Sequence, residues 1–226
     1  MTTRPAVALA ARAHARNGRQ RDDSDVRERM EKAARSFVSA HREVCSGPPS
    51  STPDSVLVIP LARASGLVDA LLFLDSALAP LRLTFAGALA RDGRAAAPRD
   101  AGCLDAAVLA EGSAVELALS RLADTDPRTS RVVLLLPEPD PVLSALVCLV
   151  LDLRRGMTAR QRQVIALVEE TGSQQAVAGH LNVSRQAVNQ SLAAAGWPAL
   201  RAAELVARAS LAAAAREDPG DGPRDI

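Results

Sequence analysis

The sequence predicts an α+β protein, with a layered α/β region in front and an all-α helix-turn-helix behind, and three observations carry that reading. Up to Gly156, short apolar runs of strand length alternate with amphipathic segments of helical period. Beyond Gly156 the strand-like runs stop. From Thr158 to Trp197 three short helices are then marked out by capping and turn residues. The expected organisation is an α/β domain over 1–140, a connecting helix over 141–156, a helix-turn-helix domain over 157–216 and a disordered tail over 217–226.

In chain order, PAVALA (Pro5 to Ala10) is an apolar run that reads as a strand, and the basic stretch Arg12 to Arg21 reads as a solvated segment. Ser24 or Asp25 opens a helix in which Val26, Met30, Ala33, Phe37, then Ala40 or His41, and Val44 recur at helical spacing. SGPPSSTP (Ser46 to Pro53) is a loop by composition. DSVLVIP (Asp54 to Pro60) is a β-branched, buried strand bounded by proline. Ser65 is placed to cap a helix from Gly66 to Ala79, which Pro80 ends. Leu81, Leu83 and Phe85 alternate with Arg82 and Thr84, the period of a half-buried strand, and Gly87 lets it bend or end. Arg91 to Gly102 reads as loop, Cys103 to Ala123 as helix broken at Gly112-Ser113, and Asp124 to Ser130 as a polar turn. RVVLLL (Arg131 to Leu136) is a strand buried on both faces, closed by Pro137 and Pro139. Pro141 opens an apolar helix to Arg155.

The segment after it is the most informative. Thr158 stands three residues before Gln161, the spacing of a capping box, and Val164, Ile165, Leu167 and Val168 form the apolar side of a first helix that Thr171-Gly172 ends. Ser173 caps a second helix, Gln174 to Leu181; Asn182-Val183-Ser184 turns the chain; a third helix runs from Arg185 to about Ala195, with Gly196 as its stop. At ~100° per residue, Arg185, Gln186, Asn189, Gln190 and Ala193 share one arc of this helix, and Ala187, Val188, Ser191, Leu192 and Ala195 share the opposite one. The apolar arc suits packing on Val177, Ala178 and Leu181. The polar arc carries the side chains that read bases: arginine bonds guanine O6 and N7, and asparagine or glutamine bonds adenine N6 and N7. Arg185, Gln186, Asn189 and Gln190 are therefore the expected base contacts, and Ser173, Gln174, Ser184, Arg160 and Arg162 the expected phosphate contacts. A pair of packing helices with a solvated polar face shares this periodicity. DNA is favoured because the polar arc, the small residue Ala178 and the turn at Asn182 coincide. The last helix starts at Trp197-Pro198 with Ala202, Leu205, Val206 and Ala209 as its core stripe, and Trp197 fills the gap beside the third helix.

Composition limits the alternatives. The net charge is +1 over 226 residues, but Met157 to Arg216 holds six Arg against three Glu, and Glu217 to Ile226 holds four acids against one Arg. The helix-turn-helix segment is thus mildly basic, which alone is weak evidence for phosphate binding. Cys45, Cys103 and Cys148 lie far apart with no CxxC pair, so reduced thiols and no metal are expected. The longest uncharged run, Pro141 to Leu151, is too short to span a bilayer, and a cytoplasmic protein is expected. His14, His41 and His180 have no matching serine or cysteine elbow, and there is no phosphate-binding glycine loop, so neither catalysis nor a cofactor is called for.

The arrangement resembles the SatD family of bacterial proteins. The residues that carry the resemblance are MTARQRQVIALVEE, SQQAVAGHLNVSRQAVNQSL and AAGWPAL, within Met157 to Ala209. More faintly, LRLTFAGALA resembles a family strand running into glycine, and VALAARAHAR stands in the place of its first strand. The resemblance implies a ferredoxin-like or palm-like front domain, as in nucleotide cyclases and GGDEF domains, and a C-terminal helix-turn-helix. Where the family has Gly-Asp after the first strand, this chain has Ala10-Ala11, and around VLVIPLA it has no acid at all. A palm-type catalyst needs carboxylates converging on Mg²⁺, so the resemblance comes without its metal site. The expected function is a DNA-binding transcriptional regulator, a homodimer on double-stranded DNA whose front domain dimerises or senses an unknown small-molecule ligand. The competing expectation is a non-catalytic sensor in which the front domain binds a nucleotide or partner and the helix-turn-helix is an interaction module.

Overall fold

The computed structural model describes residues 6–14, 23–90, 114–126, 131–136 and 140–216. Its elements run β1 (Ala6–His14), α1 (Asp23–Ala40), β2 (Ser50–Ser51), β3 (Val56–Leu61), α2 (Gly66–Ala77), β4 (Arg82–Ala90), α3 (Ala114–Asp124), β5 (Val132–Leu135), α4 (Pro141–Gly156), α5 (Ala159–Thr171), α6 (Gln174–Leu181), α7 (Arg185–Ala194) and α8 (Trp197–Arg216). The protein is α+β: one five-stranded mixed sheet and eight helices among the described residues. Two compact units divide the chain, Met1–Cys148 with Ala207–Ile226, and Leu149–Val206, so the divisions fall inside α4 and α8. The readings made for 15–21, 91–113, 127–130, 137–139 and 217–226 lie outside the described residues.

The first unit is built around β1. The strand order is β2-β3-β1-β4-β5, with β1 antiparallel to both β3 and β4, β2 antiparallel to β3, and β5 parallel to β4. Alternate residues of a strand face opposite sides, and the two sides are covered differently. Ala8, Ala10, Val56, Val58, Ala86, Ala88 and Ala90 pack with Ala114, Val115, Ala118 and Leu122 of α3. On the other side Gly87 faces Leu67 of α2, and α1 joins α2 through Phe37 and Phe73, whose rings are 5.5 Å apart. The alanines on the α3 side let a helix lie close to the sheet, while the bulk of the core, including Phe37, Phe85, Leu9, Ile59 and Leu71, is fully buried.

Several expectations change. β1 extends past Ala10 to His14, so Arg12 belongs to the strand and not to a solvated segment. Ser50 and Ser51, expected in a loop, form the short edge strand β2, with both serines buried. Pro60 lies inside β3 rather than ending it. Its carbonyl accepts from the Ser46 amide at 3.1 Å, and because N and O of one residue point the same way in an antiparallel strand, the missing N–H costs no bond to β1. Ser65 makes no side-chain cap: it is already helical, and the amides of Gly66, Leu67 and Val68 are taken by the carbonyls of Arg63, Ala64 and Ser65. β4 is buried on both faces beyond Arg82, not half-buried, because it lies between β1 and β5 under helices on both sides. β5 shows the reverse. It is an edge strand, alternately buried and half-buried, where burial on both faces was expected.

Two consequences are testable. A Cβ at Gly87 lies 3.0 Å from Leu134 Cδ2 and 3.1 Å from Leu67 Cδ2. These are ends of flexible side chains, so Gly87→Ala is expected to be tolerated, whereas Gly87→Leu overpacks the site and lowers the unfolding free energy by about 1–3 kcal/mol, read as a shift in urea midpoint at constant slope. His14 Nε2 lies 2.8 Å from the buried Thr84 hydroxyl, and burial, with Arg12 nearby, holds the imidazole pKa below its usual 6.5. The unfolded chain therefore binds this proton more readily, and the His14 contribution to stability is lost as pH falls below 6.5. Urea titrations at pH 7 and pH 5 are expected to show a smaller loss of stability in His14→Gln than in the wild type.

Candidate nucleic-acid interface

The second unit assembles its exposed polar residues from local capping chemistry. The Thr158 hydroxyl accepts from the Gln161 amide at 3.2 Å while the Gln161 side chain accepts from the Thr158 amide at 2.8 Å, the reciprocal capping box expected for α5. Gly172, at φ 66°, ends α5 in the left-handed conformation that glycine adopts without cost. Ser173 then caps α6 by accepting from the Ala176 amide at 3.3 Å, and Ser184 caps α7 by accepting from the Ala187 amide at 3.1 Å. Between them Asn182 adopts φ 51°, ψ 48°, and the Val183 amide returns to the Ala178 carbonyl at 3.0 Å. This reversal brings α7 back against α6.

Packing, not propensity, fixes the direction of α7. A ten-residue helix is marginal by itself. Burial of Val188 and Leu192, each worth about 1.5–3 kcal/mol, dominates that shortfall and turns them toward the interior with Val177 and Ala178. Arg185, Gln186, Asn189 and Gln190 consequently face solvent, all exposed, as does Ala193. Ser191 and Ala195 are half-buried as the apolar arc requires, but Ala187, assigned to that arc, is exposed.

The expected phosphate contacts divide. Arg160 and Arg162 are exposed; the Arg160 guanidinium donates to Gln163 Oε1 at 3.0 Å, and Arg162 donates to the Met157 carbonyl at 2.7 Å. Ser184 is exposed and Ser173 half-buried, and each hydroxyl spends its oxygen on the cap and keeps its hydrogen to donate. Gln174 is half-buried, while its neighbour Gln175 is exposed. The signal was available: Gln174 stands three and four residues before Val177 and Ala178 and so shares their buried side of α6, whereas Gln175 turns outward.

Sequence reasoning missed the ionic cluster behind the array. Arg154 Nε donates to Glu204 at 2.7 Å and its Nη2 to Glu169 at 3.0 Å, and the guanidinium lies 5.5 Å from the centre of the Trp197 ring. Arg201 lies 5.7 Å from the same ring. Burial alone depresses the Arg154 pKa, but the two carboxylates outweigh it and hold the group more firmly charged. Glu204 is 2% exposed, which overturns the expected stripe of α8. Leu200, Glu204, Ala207 and Leu211 are the buried line, and Ala202, Leu205, Val206 and Ala209 are exposed. A charged residue inside the core line hid its period.

No group of histidine, cysteine and carboxylate side chains able to hold a metal occurs among the described residues. The Cys148 thiol donates to the Val132 carbonyl at 3.6 Å, and burial, helped by Glu43, pushes the Cys45 thiol up to about 11. His41 bonds the Phe37 carbonyl at 3.1 Å and stacks on the Phe37 ring, and His180 is exposed on α6. No helix among the described residues is long and apolar enough to cross a membrane. Comparison of the chain with protein-family models, with curated proteins and with solved structures finds no match.

The turn at Asn182 gives a direct check on this architecture. Left-handed backbone costs an ordinary L residue roughly 1–2 kcal/mol, and the Asn182 side chain is exposed. Asn182→Gly is expected to unfold at or above the wild-type denaturant midpoint, and Asn182→Val to be less stable than Asn182→Gly by about that amount.

Proposed function

We propose that this protein is a cytoplasmic, DNA-binding transcriptional regulator that uses α5–α7 as a helix-turn-helix with α7 as its recognition helix. The observation that carries the reading is the face of α7, where Arg185, Gln186, Asn189 and Gln190 are all exposed while Val188 and Leu192 hold the helix from behind. Side chains at the start of such a helix reach base edges in the major groove, and donors on the flanking helices orient it on phosphates. Arg160, Arg162, Ser173 and Ser184 are proposed for the phosphates, with Gln175 alongside Gln174 at the start of α6.

The first unit is proposed to be ferredoxin-like. The order β1-α1-β2-β3-α2-β4, with neighbours β2-β3-β1-β4 all antiparallel, supports that reading, and α3 and β5 are additions to it. This unit is assigned dimerisation or ligand sensing rather than catalysis, since β1 and β3 contain no carboxylate to hold a metal. A homodimer would present two copies of α7 about 34 Å apart and favour a palindromic site.

The test is fluorescence anisotropy at fixed salt on a duplex selected from genomic fragments. Arg185→Ala and Asn189→Ala are each expected to weaken binding about 5- to 150-fold, the range for loss of one bidentate base contact. Affinity and sequence preference that both stay unchanged would refute the assignment and leave α5–α7 as a protein-interaction module.

A further inference from the structure

The outward face of α7 carries an uneven set of reading groups. Its first two turns expose one guanidinium, Arg185, and three carboxamides, Gln186, Asn189 and Gln190. The remaining exposed positions, Ala187, Ala193 and Ala194, offer only methyl groups, and no carboxylate or lysine occurs anywhere on the helix. Each group has one good partner in the major groove. A carboxamide pairs an N–H donor with a carbonyl acceptor, which matches adenine N7 and N6–H; against guanine its oxygen meets the O6 acceptor and one bond is lost. Guanidinium offers donors alone, which matches the two guanine acceptors N7 and O6. The methyl groups fit beside the thymine C5-methyl, and the amino group of cytosine finds no carboxylate.

From this arrangement we infer that α7 specifies a half-site rich in A·T pairs, with adenines read by Gln186, Asn189 and Gln190 and a single required G·C pair read by Arg185. The inference rests on the DNA-binding reading and adds its target. Because Arg185 is the first residue of α7, the required guanine lies at one end of the half-site and not within the A·T run. The alanines at the far end of the helix restrict reading there to thymine methyl contacts.

The experiment is selection of the full chain on a randomised duplex pool at fixed salt, followed by affinity measurements on the winning duplex with 7-deazaadenine or 7-deazaguanine replacing one base at a time. Loss of N7 leaves the protein untouched, so the wild-type measurements do not depend on the folding of any variant. The expected winners are A·T-rich half-sites with one guanine at the edge. 7-Deazaadenine within the run is expected to weaken wild-type binding several-fold and to have no effect on the variant carrying Gln186→Ala, Asn189→Ala and Gln190→Ala. 7-Deazaguanine at the edge is expected to weaken the wild type and leave Arg185→Ala unchanged. Enrichment of G·C-rich half-sites, or wild-type binding indifferent to both analogues, would overturn the specificity while leaving DNA binding intact. Failure to retain any duplex even at low salt would overturn the DNA-binding reading itself, and the specificity with it.

Discussion

Arg154 is the residue on which the second unit depends. One guanidinium bonds Glu169 of α5 and Glu204 of α8 and lies over Trp197, the first residue of α8 and the next after the Gly196 turn that ends α7. Taking such charges out of water is costly, and the arrangement is stable because the planar fork places separate donors on two carboxylates at once. A lysine, with a point charge on a flexible stem, has no equivalent geometry. Because Glu204 is buried, Arg154 offsets the desolvation of its carboxylate, and a buried pair that loses one member costs about 3–5 kcal/mol. The cluster therefore fixes the end of α4 against α5 and α8, and it does so without using any residue of the exposed face of α7.

That separation is what the proposed reading surface requires. In α7 the orienting energy comes from Val188 and Leu192, and the cap from Ser184, so Arg185, Gln186, Asn189 and Gln190 contribute nothing that holds the helix in place. They are free to be chosen for what they touch. The same logic governs the first unit, where β1 is paired on both edges and buried on both faces over Val7 to Ala11, leaving its interior no polar position from which to do chemistry.

How much of this the sequence disclosed depends on the range of the forces involved. Thr158, Ser173, Ser184, Asn182 and both glycine stops act within a turn of themselves, so the limits of α5, α6 and α7 could be read directly. The exposed arc of α7 was equally legible, because one buried side suffices to orient a short helix. Long-range pairing was not. Nothing local connects Arg154 with Glu204, fifty residues away, and a buried glutamate in the core line of α8 made the exposed leucine and valine look like its apolar face. The strands failed for a related reason. Burial of β4 on both faces and of β5 on alternate residues follows from their places in the sheet, central and edge, and strand order is a property of the whole unit rather than of either segment.

Charge then decides how the proposed interface has to work. Within Leu149–Val206 the exposed cations are Arg160, Arg162, Arg185 and Arg201, and the first two already share their donors with Gln163 and the Met157 carbonyl. Sequence-independent affinity grows with the number of phosphates neutralised, so one copy of so lightly charged a unit holds random DNA weakly. Weak background binding widens the ratio between a correct site and the excess of wrong ones, which is the quantity that matters in a genome. It also leaves a single copy short of affinity. In the proposed regulator the missing affinity comes from the second copy, whose attachment adds another set of base contacts without adding indiscriminate charge. The first unit, whose central strand is apolar and buried from Val7 to Ala11, is in this reading the part that supplies the copy number rather than any chemistry.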